Sequence, residues 1–158
     1  MGLDVLVRAD ARIPVRPFDG SRLPCGDRSC DVVLLIDVLH HADDPAVLLG
    51  EAARVARGAV VIKDHLLKGR LAQATLRFMD RVGNRRHGVA LPYHYWTLAQ
   101  WREAFDVLAV TVDVWRQDLG LYRWPFSLVF GRSLHFLARL SVGSQSGVPR
   151  QKAARITR

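Results

Sequence analysis

Apolar and polar positions change period several times along this chain, and each change marks an element. Gly2 to Val7 and Ile13 to Phe18 are short, β-branched or apolar stretches with a polar segment and Pro14 between them, which predicts two strands. Asp31 to Ile36 holds the continuous run Val-Val-Leu-Leu-Ile. A run without alternation predicts a parallel strand covered on both faces. Asp44 predicts a helix cap with Pro45 in the first turn; Leu48, Ala52 and Val55 share one face, and Gly58 stops the helix near Ala56. Ala59 to Lys63 is again all apolar but for its last residue, so strand, helix and strand follow one another within the length of a right-handed parallel crossover.

Beyond the crossover the spacing turns helical. Leu71, Ala74, Thr75, Phe78 and Val82 predict an apolar face, opposite Arg70, Gln73, Arg77 and Arg81, on a helix ended by Gly83-Asn84. Phe78 and Met79 are expected in the core. Thr97 predicts the cap of a helix to Phe105, and Val107 to Trp115 alternates as a strand. Leu119 to Phe130 is aromatic and interrupted by proline, and Ser133 to Arg139 predicts a last strand. The whole reads as α/β.

The 158 residues suit one domain, and 49% hydrophobic content suits a globular one. The formal charge of +8 is spread over arginines inside apolar-periodic segments, with a local excess only at the tail, which weakens a nucleic-acid reading. Arg132, His135 and Arg139 break the longest apolar stretch, Trp124 to Leu140, before it reaches the ~20 residues of a membrane span. No signal-peptide pattern opens the chain, so a cytoplasmic address is expected. Cys25 and Cys30 read as small buried thiols; with His40 and His41 they match no zinc-ligand spacing, so no metal site is expected.

The segment from Val15 to Pro45 adds chemistry to this outline. Phe18-Asp19-Gly20 is followed by Leu23-Pro24, then Ser29-Cys30-Asp31-Val32-Val33, then a strand running to Leu39-His40-His41. This order resembles the middle motifs of class I S-adenosylmethionine-dependent methyltransferases of the type 11 kind. The resemblance implies a Rossmann-like three-layer sandwich around a mostly parallel sheet, and S-adenosylmethionine as cofactor. It covers Gly2 to about Arg139, which implies a partial methyltransferase domain over residues 1–140 and a basic disordered tail over 141–158.

Residue by residue, the resemblance implies that Asp4, with Val5 beside it, meets the ribose hydroxyls. Asp19 and Gly20 then read the adenine, with Phe18 against the ring, and Asp37 stands by the methionine end or the substrate. An Asp-Gly turn is the plain alternative for Asp19. Asp31 lies at the opposite edge and is expected to be structural. Methyl transfer chiefly requires alignment, with a base only when the acceptor carries a proton to lose. His65 and His41 are the candidates for that base, ahead of His40. Tyr93-His94-Tyr95-Trp96 reads equally as a cover for the acceptor pocket and as packing, and Arg85-Arg86-His87 as a solvated loop or a contact to an anionic acceptor.

One motif is missing. The chain contains no Gly-x-Gly turn, the family's first motif, so strand one and the helix after it are expected to be absent. Three functions follow as expectations: methyl transfer to a small-molecule acceptor by an N-terminally incomplete enzyme; a non-catalytic remnant that binds a partner; and a basic module whose Arg150, Lys152, Arg155 and Arg158 meet nucleic acid. The incomplete sheet also predicts self-association, or complementation by the missing segment.

Overall fold

The computed structural model describes residues 1–85 and 92–143. Two parallel strands, β1 (Gly2–Asp4) and β2 (Val15–Pro17), form one small sheet with Asp4 opposite Pro17. A second sheet has the order β3-β4-β6-β5, from β3 (Cys30–Ile36), β4 (Ala56–His65), β6 (His135–Ser141) and β5 (Thr111–Arg116). β3 and β4 are parallel; β6 runs antiparallel to both of its neighbours. The sheet is thus in two pieces, and β1 and β3 do not pair.

Helix α1 (Pro45–Val55) joins β3 to β4 as the sequence predicts. The Asp44 carboxylate accepts hydrogen bonds from the amides of Ala46 and Val47, and Pro45 opens the first turn, where a missing N–H costs nothing. Leu48, Ala52 and Val55 are buried with Leu49. This face packs on Leu35, Val60, Ile62, Phe136, Ala138 and Leu140 of the sheet, joined by Trp101 and Phe105 of α3 (Leu98–Val107). Thr97 caps α3 through a full capping box with Gln100. Glu51 and Arg54 on α1 pin the loop before β3: Glu51 accepts from the Leu23 amide, and the Arg54 guanidinium donates to the carbonyls of Leu23 and Cys25 and to Asp27. That clamp ties the β1-β2 piece to the main core.

The other face of the main sheet is open. Val32, Leu34 and Ile36 are 52%, 64% and 49% exposed on β3, although the sequence predicts a strand covered on both sides. Only the α1 side of β3 is covered among the described residues, and that leaves alternate residues in solvent. α2 (Ala72–Asn84) also differs from expectation. Phe78 and Val82 are exposed, while Ala72, Leu76 and Asp80 are buried against Tyr95 and Leu134. The helix packs on the ends of the strands, where it contributes a carboxylate and not an aromatic ring. Phe78 stacks instead on Phe130 of the short α4 (Ser127–Phe130). Cys25 and Cys30 are half-buried free thiols. The expected tail lies outside the described residues from 144 onward, β6 extends to Ser141, and Arg86 and His87 of the basic loop are likewise outside. No helix among the described residues is long and apolar enough to cross a membrane.

Candidate functional site

The strand ends gather two groups of polar residues. At the ends of β1 and β2, five of the sequence-predicted cofactor residues come together. The Phe18 amide donates to the Asp4 carbonyl, and a Cβ on Gly20 would lie 3.2 Å from a Val5 methyl. Gly20 has a φ of +84°, which a side chain would strain, so the tight approach of the two loops requires glycine there. Asp4 Oδ1 accepts from the Leu6 amide. Asp19 Oδ1 accepts from the amides of Arg22 and Ser21 and from the Ser21 hydroxyl, and these three donors lower its pKa. Asp19 therefore builds the plain turn, and its second oxygen accepts nothing among the described residues. Phe18 is half-buried against the core.

Asp37 stands apart at the end of β3, in the left-handed region at φ +52°. Both of its oxygens accept from Lys63 Nζ at 2.6 Å, so it is held by an ion pair across the sheet. Asp31 pairs with Arg57 at the opposite end, a structural role as expected.

The second group is a buried cluster of imidazoles and carboxylates. β4 ends in Asp64-His65, and the turn after β3 carries His40-His41. Asp64, fully buried, accepts from the Leu39 and His65 amides and lies 2.6 Å from His40 Nδ1. Burial alone would raise the Asp64 pKa, yet its hydrogen bonds from His40 and His65 prevail and hold it far below the carboxylate range. Burial likewise disfavours the His40 imidazolium, but the Asp64 hydrogen bond and the charges of Asp64, Asp80 and Asp37 outweigh it and raise that pKa.

With Nδ1–H donated to Asp64, His40 has only Nε2 left. It is buried without a hydrogen-bond partner, 3.6 Å from Asp80 Oδ2. Asp80 takes the Tyr95 hydroxyl as donor. The His40 ring lies 4.0 Å from that of His41 and 4.2 Å from that of His65, between centroids. His41 Nδ1 is also without a partner, and burial followed by the neighbouring His40 lowers its pKa.

The two sequence-predicted catalytic residues are therefore brought together, with His40, ranked below them, at the centre. Sequence reasoning missed Asp80 and His135, and named Tyr95 only within the Tyr93 to Trp96 segment. Asp80 had a legible signal, a charge four residues beyond Leu76 and eight beyond Ala72 on one helical stripe. His135 opens β6 beside His65, at 4.8 Å between centroids, and neither ring nitrogen has a partner. Burial, then the charges of His65 and Lys63, push its pKa down to about 4. It borders a pocket whose lining includes Gln117, Leu119, Tyr122, Ser127 and Gly131. In the segment Tyr93 to Trp96, Tyr95 donates to Asp80, His94 Nδ1 meets the Ala42 carbonyl, and Trp96 lies edge-on to Trp101.

Residues 4–62 match the methyltransferase domain family, from the end of β1 into β4. The fold resembles an S-adenosylmethionine-dependent methyltransferase from Mesorhizobium loti (TM-score 0.64, 16% identity, 89% of this chain and 78% of that one). It also resembles a Methanosarcina mazei structure described as S-adenosylmethionine-dependent (0.55, 15%, 80% and 66%). A third similar structure is a complex of the Trm112 methyltransferase activator of Haloferax volcanii with a candidate methyltransferase (0.57, 20%, 81% and 60%). At these identities the likeness is one of fold. The chain spans 60% of the Haloferax chain and just under two thirds of the Methanosarcina one. No curated protein sequence matches it.

Proposed function

We propose, for a chain whose residues 4–62 carry part of a methyltransferase domain, S-adenosylmethionine-dependent methyl transfer to a small-molecule acceptor. The observation that carries this reading is the convergence of Asp4, Val5, Phe18, Asp19 and Gly20 at the ends of two parallel strands, with Asp37 at the end of a third. Ligands in open α/β folds bind beyond the carboxyl ends of strands. The adenosine end of the cofactor fits this group: Asp4 and Asp19 each keep one carboxylate oxygen for hydroxyl or amino donors. The methionine end does not fit, because the chain has no Gly-x-Gly turn to offer it backbone amides. When bound, the cofactor supplies an electrophilic methyl group.

On the acceptor side we assign the pocket beside His135. An unpartnered, neutral imidazole there is placed to hydrogen-bond an acceptor hydroxyl or amine and so orient it, while its lowered pKa makes it a poor general base. His65, at 5% exposure and behind His135, is assigned to hold that ring in place. The free edges of β1 and β3 and the exposed face of β3 favour completion of the sheet by a strand outside these six, from a second copy or another segment. The Haloferax complex is a precedent for partner binding in a protein of similar fold.

The test is an amide chemical-shift titration with adenosine and S-adenosylmethionine, followed by transfer of labelled methyl to hydroxyl- and amine-bearing small molecules. Shifts confined to residues 4–6, 18–22 and 37–39, and reduced by Asp4→Asn, are expected. Shifts elsewhere, or none that Asp4→Asn alters, would remove the assignment.

A further inference from the structure

We propose that His40, His41 and Asp80 form a binding site for one divalent first-row transition ion. The inference is independent of methyl transfer. One ligand atom from each of the three lies within 4.8 Å of the others. Around a zinc ion with bonds of about 2.0–2.1 Å, ligand atoms stand about 3.3 Å apart. The 3.6 Å from His40 Nε2 to Asp80 Oδ2 is already close to that.

The stronger argument is what these atoms lack. His40 is 2% exposed, and its Nδ1 is committed to Asp64, so Nε2 faces the Asp80 carboxylate with no hydrogen-bond partner. His41 Nδ1 is buried and unpartnered beside it. The Tyr95 hydroxyl donates to Asp80, and His65 Nε2 stands 3.9 Å from the other Asp80 oxygen, so neither relieves the two unpartnered imidazole nitrogens. Buried polar groups are costly unless paired, and a single cation would satisfy both imidazoles and the carboxylate at once. Asp64 occupies the place of the outer carboxylate that fixes a metal-bound histidine: it receives the proton on Nδ1 and turns Nε2 outward as ligand. Two imidazoles and one carboxylate are donors suited to zinc, iron or manganese rather than to calcium or magnesium. His41, half-buried where the other two are buried, is the ligand on the open side of the site.

The rival is a proton: an imidazolium at His40 shared between Asp64 and Asp80 would need no metal. The experiment separates them. The full chain, stripped with chelator, is titrated with Zn²⁺ by calorimetry and with Co²⁺ by its visible ligand-field absorption, and thermal unfolding is followed with and without Zn²⁺. One equivalent bound, a Co²⁺ band of a nitrogen-ligated site and a rise in Tm are expected. His41→Ala, a half-buried position that leaves the His40–Asp64 pair intact, is expected to weaken Zn²⁺ at least about ten-fold. The double variant Cys25→Ser, Cys30→Ser should bind as the parent does. No uptake by the parent chain, affinity unchanged in His41→Ala, or loss of metal in the cysteine variant would each overturn the site.

Discussion

Replacing His135 with phenylalanine should stabilise the fold and flatten its response to acid. His135 is 5% exposed, with both ring nitrogens unpartnered and the rings of His65 and Tyr122 at 4.8 and 5.8 Å. Its pKa is about 4 in the fold, against an ordinary value of 6.5. The folded chain therefore refuses a proton that the unfolded chain accepts. Stability is complete above about pH 6.5 and falls as pH drops toward 4, because there the unfolded state binds more protons. The full loss, over a shift of about 2.5 units, is about 3 kcal/mol, and about 2 kcal/mol of it is spent by pH 5.

Phenylalanine removes that loss and two desolvated nitrogens, so a further gain of about 1 kcal/mol is expected at pH 7.5. His40 acts in the opposite direction, since its raised pKa favours the fold at low pH, but it is present in both proteins and cancels in the comparison. Urea unfolding at pH 7.5 and 5.0, followed by tryptophan fluorescence, measures the four free energies. The parent should lose about 2 kcal/mol more than His135→Phe between the two pH values. Equal losses would refute a buried neutral imidazole at this position. If His135 also orients the acceptor, the more stable variant should transfer methyl more slowly.

Tyr95→Phe leaves the buried Asp80 carboxylate without its hydroxyl donor and should cost about 2 kcal/mol in urea unfolding; an unchanged midpoint would mean that Asp80 does not depend on it. Leu34→Lys, on the exposed face of β3, should change stability by no more than about 0.5 kcal/mol while reducing self-association in sedimentation. A larger stability loss would show that this face is covered. Asp19→Ala removes the carboxylate that orders the turn after β2, and calorimetry should find adenosine bound about ten-fold more weakly; equal affinity would move the adenine pocket elsewhere.

The linear sequence determined the elements that depend on neighbours along the chain. The Asp44-Pro45 cap, the Thr97 cap and the apolar runs of β3 and β4 act through residues no more than a few positions apart, and each element formed where the pattern predicts it. The order Asp19-Gly20, Leu23-Pro24 and Asp31-Val32-Val33 likewise identified the fold of residues 4–62, because motif order follows strand order. Tertiary structure decided the rest. Nothing in the run Val32 to Ile36 says which face is covered; α1 covers one, and among the described residues no element packs on the other. The apolar stripe of α2 pointed to Phe78 and Val82, but packing on Tyr95 and Leu134 turned Ala72, Leu76 and Asp80 inward. His40 became the centre of the polar cluster through Asp64, 24 residues away along the chain, and Asp80, a full 40 away. His65 met His135 only because β6 folds back antiparallel on β4. Periodicity records which side of an element is apolar, whereas the convergence of buried charges from several strand ends is set by how those elements pack.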